Sequence, residues 1–339
     1  MGAKKRILLT GASGSVGRDV LHQLAALTDK YELIVAGRKS KRGRKIAAGY
    51  RGKATFINAD LSYYDQAVAL AKNIDVVIHL AAVIPPLADE HPELAERVNV
   101  YGTKNLLKAL EQHSPHCFFI YSSSIAVYGD RIKNPDIRVG DPLQPSQGDY
   151  YAETKIRAEK LIQQSKLKWT ILRLTAIMGA KNHKLSKLLF HMPLDTRMEI
   201  ATPEDTARAF VNAIEKQEAL QGRIFNLGGG PSCRISFREF LDRNFKIYGL
   251  GRFDFPEEAF ARKNFHCGNY ADGDDLEEIL HFRHDGIEDY EAKLRKSIHP
   301  AQYLATRALA PIIKRQILKK SEPLVARRKN DQELLERFF

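Results

Sequence analysis

The sequence predicts an α/β protein built on a parallel β-sheet that carries helices on both faces. Short apolar runs alternate with segments of helical periodicity as far as residue 173. The connections between them are short, which favours right-handed strand–helix–strand units and a doubly wound sheet. A chain of 339 residues, of which 44% are hydrophobic, is also long enough to bury a substantial core.

The elements of this first part follow one another in a regular order. Strands are expected at 6–10, 32–36, 54–58, 76–80, 117–122 and 170–173. Helical patterns lie between them at 16–27, 41–49, 63–72, 92–112 and 150–165. Ligands of such sheets bind at the carboxyl ends of the strands, so the residues that follow each strand are the first candidates for a site.

The alternation loosens after residue 173, and residues 180–199 show no clear period. Thr202 with Pro203 begins a helix, and Ser236 with Glu239 forms a capping box for another. The elements expected here are helices at 202–216, 236–248, 275–281 and 287–296, and a strand at 222–227.

A glycine run, Thr-Gly-Ala-Ser-Gly-Ser-Val-Gly at 10–17, joins the first strand to the first helix. A tight turn at Gly11 needs a residue without Cβ, Gly14 lets the backbone approach a pyrophosphate, and Gly17 lets the helix pack close to the strand. The free N–H groups at the helix start favour phosphate binding. The run predicts a dinucleotide site, with Ser13 and Val16 among its contacts.

The second strand ends in Arg38 and Lys39. An acidic residue at this point would bind the ribose 2′-hydroxyl and select NAD, whereas Arg38 offers a planar cation for a 2′-phosphate. NADP(H) is therefore the predicted cofactor, with NAD as the alternative; a solvated basic helix face is the other interpretation of these charges. Asp60, followed by Leu61, ends the third strand and can bind the adenine amine or cap the next helix.

Tyr151 and Lys155 lie four residues apart on a predicted helix and so share one face. A free phenol has a pKa of about 10 and exchanges protons poorly at neutral pH, so a neighbouring ammonium is expected to lower that pKa. Ser124, at the end of the fifth strand, can orient a carbonyl or an alcohol. The three side chains predict proton transfer coupled to hydride transfer.

These motifs stand in an order typical of one family. The set comprises TGxxGxxG at 10–17, Asp60, His79-Leu80-Ala81-Ala82, Asn99, Ser122-Ser123-Ser124 with Tyr128-Gly129, the Tyr151 and Lys155 pair, and Leu172-Arg173. On these residues the chain, over roughly 5–230, resembles the extended, epimerase-like branch of the short-chain dehydrogenase/reductase superfamily. The resemblance implies a Rossmann-type doubly wound parallel sheet with a small C-terminal substrate region.

The resemblance also implies the roles of the site residues. Tyr151 would be the general acid/base, Lys155 would hold the nicotinamide ribose, and Ser124 would contact the reacting oxygen. Asn99 would support a water relay or lock the local backbone. Ala81 and Ala82 would pass beside the cofactor, although close packing selects the same small residues. A homodimer paired through 98–109 and 151–162 is usual for the family.

Two departures from the family bear on the substrate. Ile125-Ala126 replaces the Asp-Glu pair that dehydratases carry, and 172–179 lacks the Asn that sugar-nucleotide epimerases carry after the Leu-Arg strand. We therefore expect an NADP(H)-dependent oxidoreductase that interconverts a carbonyl and a secondary alcohol on a lipophilic small molecule. The alternatives are a sugar-nucleotide epimerase and a non-catalytic NADP(H)-sensing protein.

Three regions follow from this reading of the chain. Residues 1–179 and 200–230 are predicted to bind NADP, 180–199 and 231–299 to bind the substrate, and 300–339 to form a basic amphipathic tail. In the substrate region a wall for a lipophilic ligand, or ordinary core packing, is expected from Leu185, Leu188, Leu189, Phe190 and Met192, with Lys184, Lys187 and His191. No cysteine pair has metal-ligand spacing, and neither His183 nor His191 has a partner three or four residues away, so no metal is expected.

Charge and cysteine usage limit the partners. The net charge is +12, but the basic residues are not interleaved with aromatics, so nucleic acid is not expected. Three scattered cysteines and an N-terminus without a leader pattern predict a cytoplasmic protein.

The tail combines basic residues with an apolar repeat. Apolar residues recur from Leu304 to Ile317 at helical spacing, and Pro311 is expected to bend or divide the helix. Such a helix can lie on an anionic membrane surface, or it can pack on the enzyme body or on a second subunit. Packing is favoured, and 327–330 are expected to be solvated or frayed.

Overall fold

A seven-stranded parallel sheet forms the centre of the molecule. The structure is a computed structural model that describes residues 4–180 and 187–339. Its strands, including short ones outside this sheet, are β1 (Lys5–Thr10), β2 (Tyr31–Gly37), β3 (Thr55–Asn58), β4 (Val76–His79), β5 (Phe118–Ser124), β6 (Asp136–Ile137), β7 (Lys168–Leu174), β8 (Ala176–Ile177), β9 (Arg197–Ala201), β10 (Arg223–Leu227), β11 (Arg234–Ser236) and β12 (Asn269–Tyr270).

Helices connect most of these strands. They are α1 (Ser15–Leu24), α2 (Lys41–Gly49), α3 (Tyr64–Leu70), α4 (Leu87–Glu90), α5 (Pro92–Ala95), α6 (Gly102–His113), α7 (Tyr150–Gln164), α8 (Pro203–Ala213), α9 (Gln217–Leu220), α10 (Phe237–Ile247), α11 (Asp274–Leu280), α12 (Ile287–Ser297), α13 (Pro300–Ala308), α14 (Ala310–Leu318), α15 (Glu322–Lys329) and α16 (Gln332–Phe338). A π-helical segment, Glu96–Tyr101, joins α5 to α6.

The strand order across the sheet is β10-β7-β5-β4-β1-β2-β3, and every neighbouring pair is parallel. After β3 the chain crosses back, and β4 pairs with the free side of β1. A reversal of this kind opens a crevice at the carboxyl ends of β1 and β4, which is where ligands bind in open α/β sheets. The predicted doubly wound α/β fold is confirmed.

Each face of the sheet has its own apolar core. Leu24 of α1 and Phe210 of α8 pack on one face, and Leu106 of α6 packs on the other. Leu8 and Leu9, which are consecutive in β1, belong to opposite cores because successive strand side chains point to opposite faces. This double burial explains why the central strands consist of continuous apolar runs.

A further core lies outside the central sheet and is built mainly from residues that follow β10. A three-stranded sheet of order β11-β9-β8 contributes to it, as do α10 and α12. Phenylalanine rings pack against one another in it, and the ring centroids of Phe190 and Phe260 lie 5.1 Å apart. This core carries the loops that close one end of the crevice.

The tail folds back onto this C-terminal core. Leu309 separates α13 from α14 beside Pro311, in agreement with the expected division of the helix. Ile317 is buried, and the Phe338 carbonyl accepts a 2.7 Å hydrogen bond from the Arg262 N–H group. Residues 327–330 are solvent-exposed as predicted, but they end a regular helix instead of fraying. Within the described ranges, no helix is long and apolar enough to cross a membrane.

Candidate active site

The glycine turn has a geometry that excludes other residues. Gly11 has a φ of 76°, and a Cβ there would lie 2.6 Å from the carbonyl carbon of Leu80. A Cβ on Gly17 would lie 2.2 Å from the Gly11 carbonyl oxygen, so α1 could not approach the turn so closely with a larger residue. The turn and the first residue of α1 line an open cradle, which fits the pyrophosphate of a dinucleotide.

A cavity of about 570 Å³ lies at the carboxyl ends of β1 and β4. It brings together most of the side chains singled out in the sequence, namely Gly11, Ser13, Gly14, Val16, Gly17, Arg38, Asp60, Leu61, Ala81, Ala82, Ser124, Tyr151 and Lys155. Lys39 and Asn99 do not line it. The cavity therefore connects the glycine turn with the phenol and ammonium pair.

Positive charge is concentrated at the end of the cavity that follows β2. Arg38 and Arg42 line it, and both are exposed to solvent. Burial raises the pKa of the nearby Asp60 carboxyl, but hydrogen bonds from Ser62 and the charge of Arg38 outweigh burial and hold it below its ordinary value. The carboxylate accepts the Ser62 N–H at 3.0 Å, in the turn before α3, and still lines the cavity.

The start of α7 carries the reactive pair. The Asp149 carboxylate accepts the Ala152 N–H at 2.9 Å and so caps the helix just before Tyr151. One turn later the Lys155 ammonium donates to the Ser122 carbonyl at 2.6 Å and lies 5.7 Å from the centroid of the Tyr151 ring. Ser124, at the end of β5, lines the same cavity and interacts with the Tyr151 phenol. Two elements, α7 and β5, therefore meet at this phenol.

Burial dominates the protonation of this pair. It raises the pKa of the Tyr151 phenol above its ordinary value, and the Ser124 hydrogen bond opposes that shift. The direction is opposite to the lowering expected from the sequence, because the loss of hydration around the phenol outweighs the other effects on its pKa. Burial also lowers the pKa of Lys155 to about 7, against the attraction of Glu159. The ammonium is therefore easily neutralised near neutral pH.

Lys155→Met should remove a pH dependence from folding. The folded chain binds the Lys155 proton more weakly than the unfolded chain, so the unfolded state holds more protons between about pH 7 and 10.5. Hence the free energy of unfolding of the wild type should rise with pH, by at most about 1.4 kcal/mol per unit from this group. Urea unfolding at several pH values should give a smaller slope for Lys155→Met.

The exposed Lys160 on the same helix supplies the matched control. Lys160→Met removes an equal charge outside the site and should keep the wild-type slope. Equal slopes for wild type and Lys155→Met would contradict the lowered pKa of the buried ammonium.

Asn99 is held away from the cavity within the π-helical segment. Its amide oxygen accepts the Val83 N–H at 2.7 Å, and its amide nitrogen donates to the Val83 carbonyl and to the Thr154 hydroxyl. The resemblance left two roles open for Asn99, a water relay and a lock on the local backbone. These contacts favour the lock on the backbone. The π turn itself was missed in the helix predicted at 92–112; such turns often occur at functional sites.

His79 is likewise a structural residue. Its ring nitrogens lie 2.8 Å from the Thr10 hydroxyl and 3.1 Å from the Thr103 hydroxyl. Burial lowers its pKa to about 3, so the ring is neutral at physiological pH. It fixes β4 against β1 directly below the cavity.

The far end of the cavity, beyond Tyr151, has an apolar wall. Val83, Ile84 and Pro85 follow β4 and line it together with Ile177. Ile84 is 59% exposed, so this wall is open to an incoming apolar ligand. Sequence reasoning did not single out these residues, because a short apolar segment after a strand has the same composition as ordinary core.

The apolar wall predicted within 180–199 is not found in the described residues. Phe190 and Met192 are buried in the C-terminal core, and Leu189 packs against it. Leu188 lines smaller cavities next to the main one. Of the two interpretations given for this segment, core packing therefore applies to Leu189, Phe190 and Met192, since they pack with other phenylalanines. Lys184 and Leu185 lie outside the described residues.

The basic residues of the same segment bind the tail. Lys187 Nζ lies 3.2 Å from one Glu322 oxygen, and His191 Nε2 lies 2.6 Å from the other. The His191 hydrogen bond lowers the pKa of Glu322 to about 2, so the carboxylate stays charged. These contacts fasten α15 beside the site.

A chamber of about 100 Å³ adjoins the main cavity at Pro85 and His266. Arg337 and Phe338 of α16 line it. The His266 Nδ1 lies 2.6 Å from the Asp149 carboxylate, which outweighs the effect of burial and raises the His266 pKa. No sequence motif pointed to the tail as a wall of the site, because this contact joins residues far apart in the chain.

Metal chemistry has no visible support in the described ranges. Within residues 4–180 and 187–339, no group of three or more acidic, histidine or cysteine side chains is arranged to hold an ion. The three cysteines are buried and unpaired.

The fold and this site together define a class of nucleotide-binding α/β proteins, and comparison with known sequences gives the family. The sequence model of the NAD dependent epimerase/dehydratase family matches residues 7–228, which is more than half of the chain. The chain belongs to this family.

Individual relatives differ in what they act on. A 3-beta-hydroxysteroid dehydrogenase of Mycolicibacterium neoaurum is 28% identical over 165 residues, covering 46% of this chain and 42% of that protein. The N-acetyl-alpha-D-glucosaminyl-diphospho-ditrans,octacis-undecaprenol 4-epimerase of Escherichia coli O157:H7 is 32% identical over 190 residues, covering 52% and 50%. The chain thus spans about half the length of these curated relatives.

Solved structures extend the similarity of fold over most of the chain. UDP-glucuronic acid 4-epimerase from Bacillus cereus, in complex with UDP-glucuronic acid and NAD, matches with a TM-score of 0.69 at 21% identity, covering 86% of this chain and 100% of that one. At this identity the match establishes a common fold.

Proposed function

We propose that this protein is an NADP(H)-dependent oxidoreductase that interconverts a carbonyl and a secondary alcohol on a lipophilic small molecule. The observation that carries the proposal is the single cavity that joins the glycine cradle to Ser124, Tyr151 and Lys155. A nucleotide in the cradle would extend along this cavity toward the phenol.

Each residue of the site has its own role in the proposed reaction. The bound cofactor supplies or accepts the hydride. Tyr151 donates its hydroxyl proton to the carbonyl oxygen during reduction and takes it back during oxidation. Ser124 donates a hydrogen bond to the same oxygen, and the Lys155 ammonium holds the cofactor ribose and stabilises the phenolate that forms.

The preference for NADP(H) rests on charge at the β2 end. Arg38 and Arg42 line the cavity where the adenosine ribose would lie, and both are exposed and available to a 2′-phosphate. NAD is the alternative, since the epimerase of known structure described above was solved with NAD. Lys39, which lies outside the cavity lining, is a weaker candidate than Arg38.

Arg38→Asp should reverse the nucleotide preference. The change removes a charge-assisted hydrogen-bond donor and places a carboxylate where it would repel the 2′-phosphate and accept a ribose hydroxyl. The ratio of the NADH and NADPH dissociation constants should fall by at least about tenfold, as measured by fluorescence titration.

Lys45→Asp makes the same change of charge on α2, outside the cavity, and should leave the ratio near that of the wild type. An unchanged ratio in Arg38→Asp would refute the phosphate assignment.

The lipophilic substrate is supported by the wall beyond Tyr151. Val83, Ile84, Pro85 and Ile177 would contact the body of the substrate. One relative is named as a 3-beta-hydroxysteroid dehydrogenase, and a steroid is a lipophilic substrate.

A sugar-nucleotide epimerase is the second candidate, favoured by the polar side chains of Asp149, His266 and Arg337 that line the adjoining chamber. Such an enzyme oxidises and re-reduces one carbon without net use of cofactor. A non-catalytic NADP(H) sensor is a third reading, and the intact Ser124, Tyr151 and Lys155 set argues against it.

One assay separates these functions. The purified protein is given NADPH or NADH with ketones, and NADP or NAD with alcohols, drawn from steroid, lipid and sugar-nucleotide classes. Net oxidation or reduction of the nucleotide supports the oxidoreductase. Epimer formation with cofactor retained through gel filtration supports the epimerase, and binding without any turnover supports the sensor.

A homodimer is part of the same proposal. Tyr101, within the segment 98–109, and Tyr150, immediately before the segment 151–162, are half-exposed and available for contact with a second copy.

A further inference from the structure

We infer that the exposed face of α13 and α14 is a docking surface for an anionic lipid bilayer. This face, called the α13–α14 face below, consists of Leu304, Leu309 and Ile312 together with Arg307, Arg315 and Lys319. The inference is independent of the reaction proposed above.

The segment that carries this face has acidic or basic side chains of only one sign. Residues 292–321 include eight lysines and arginines and no aspartate or glutamate. Some of these cations are already used; Lys314, for example, pairs with Asp254 at 2.9 Å. Arg307, Arg315 and Lys319 form no ion pair with any described residue, so their charges are available to an external anion.

Apolar side chains accompany the free charges on the same surface. Leu304, Leu309 and Ile312 are 62%, 50% and 60% exposed. Contact between water and aliphatic side chains of this size is unfavourable. In α14, Ile312 shares its helix face with Arg315 and Lys319, at spacings of three and seven residues. Leu304 shares its face in α13 with the exposed Ala308, four residues on.

The opposite side of these helices is already occupied. Ile313 and Ile317 pack on the C-terminal core, and Lys314 donates to the Arg252 carbonyl at 2.7 Å. These contacts fix α14 with its apolar and basic face outward, and in α13 the Tyr303 side chain lies against Gly249. The sequence left open whether the tail packs on the enzyme or binds an external partner. In the structure one face packs on the C-terminal core, and the opposite face is left for an external partner.

An anionic bilayer fits this face better than a second copy of the chain. In a two-fold dimer the same patch would face itself, so unpaired cations would meet like charges. A bilayer supplies phosphate oxygens for the cations and an acyl boundary for the leucines and isoleucine, which is the pattern of interfacial helices. An anionic surface also attracts the net charge of +12.

Vesicle sedimentation of the full chain tests this inference. Wild-type protein is mixed with phosphatidylcholine vesicles made with or without phosphatidylglycerol. We expect sedimentation with the anionic vesicles, little with the neutral ones, and weakening by added salt. The triple variants L304Q/L309Q/I312Q and R307Q/R315Q/K319Q should each lower the partition coefficient at least about tenfold.

The matched control is K53Q/K216Q/K263Q, which removes three exposed lysines elsewhere on the surface. It should sediment like the wild type, and a far-ultraviolet circular dichroism spectrum equal to that of the wild type would show that every variant is folded. Absence of wild-type sedimentation with anionic vesicles, or equal losses in the control, would overturn the inference. Self-association that is abolished by L304Q/L309Q/I312Q without vesicle binding would instead make this face a dimer interface.

Discussion

Replacing Tyr151 by phenylalanine is expected to lower kcat about 10²- to 10⁴-fold, the range that a positioned general acid/base contributes. The phenol lines the cavity together with Ser124 and lies beside the Lys155 ammonium. Phenylalanine keeps the ring and its packing but has no proton to transfer. Steady-state rates with a substrate found in the screen give the measurement, and the NADPH dissociation constant should change less than about threefold.

Tyr150 supplies a closely matched control. It is the preceding residue of the same helix, but its side chain is 42% exposed and does not line the cavity. Tyr150→Phe should retain the wild-type kcat. If Tyr151→Phe also retained it, the phenol would have no role in proton transfer and the proposed mechanism would be wrong.

Arg173→Met should be among the most destabilising substitutions in the chain. Arg173 of β7 and Glu159 of α7 form a 2.7 Å ion pair with both side chains at least 97% buried. Arg173 also donates to the Tyr128 hydroxyl, and Ser123 donates to the Glu159 carboxylate. Removing the cation leaves a buried carboxylate without its charge partner, which costs about 3–5 kcal/mol.

Urea unfolding measures this loss of folding free energy, and two further variants show whether the buried ion pair is its cause. The double variant Arg173→Met with Glu159→Leu should be less destabilised than the single one, because no uncompensated charge stays buried. Arg157→Met breaks the more exposed pair with Glu96 and should cost less than about 1 kcal/mol. Equal losses for Arg173→Met and Arg157→Met would contradict a special role for the buried pair.

Local sequence patterns predicted the central sheet well because each pattern has a local cause. The strand at 6–10 is apolar on both faces because helices cover both sides of it, and the run at 10–17 needs glycine because of close contacts within the turn itself. Tyr151 and Lys155 could be paired in advance because helix geometry places residues four apart on one face. These parts of the site depend on neighbours in sequence.

Contacts between distant residues were not predictable in the same way. Phe190 and Met192 have the composition of a ligand wall, and only the packing of later phenylalanines shows that they are core. Nothing near Arg337 in the sequence indicates that it reaches the chamber beside His266. The raised pKa of Tyr151 was also not predictable, because it depends on burial by groups that come from several elements.

The division of the cavity between the two ends of the chain has an evolutionary consequence. Its end with the glycine turn is lined by residues before 125, whereas His266 lines it from the later part of the chain and Arg337 and Phe338 line the adjoining chamber. Recombination that replaces the later segments would change the substrate specificity and leave the nucleotide cofactor the same. Drift in the final helix would then alter selectivity in descendants whose amino-terminal halves are nearly indistinguishable.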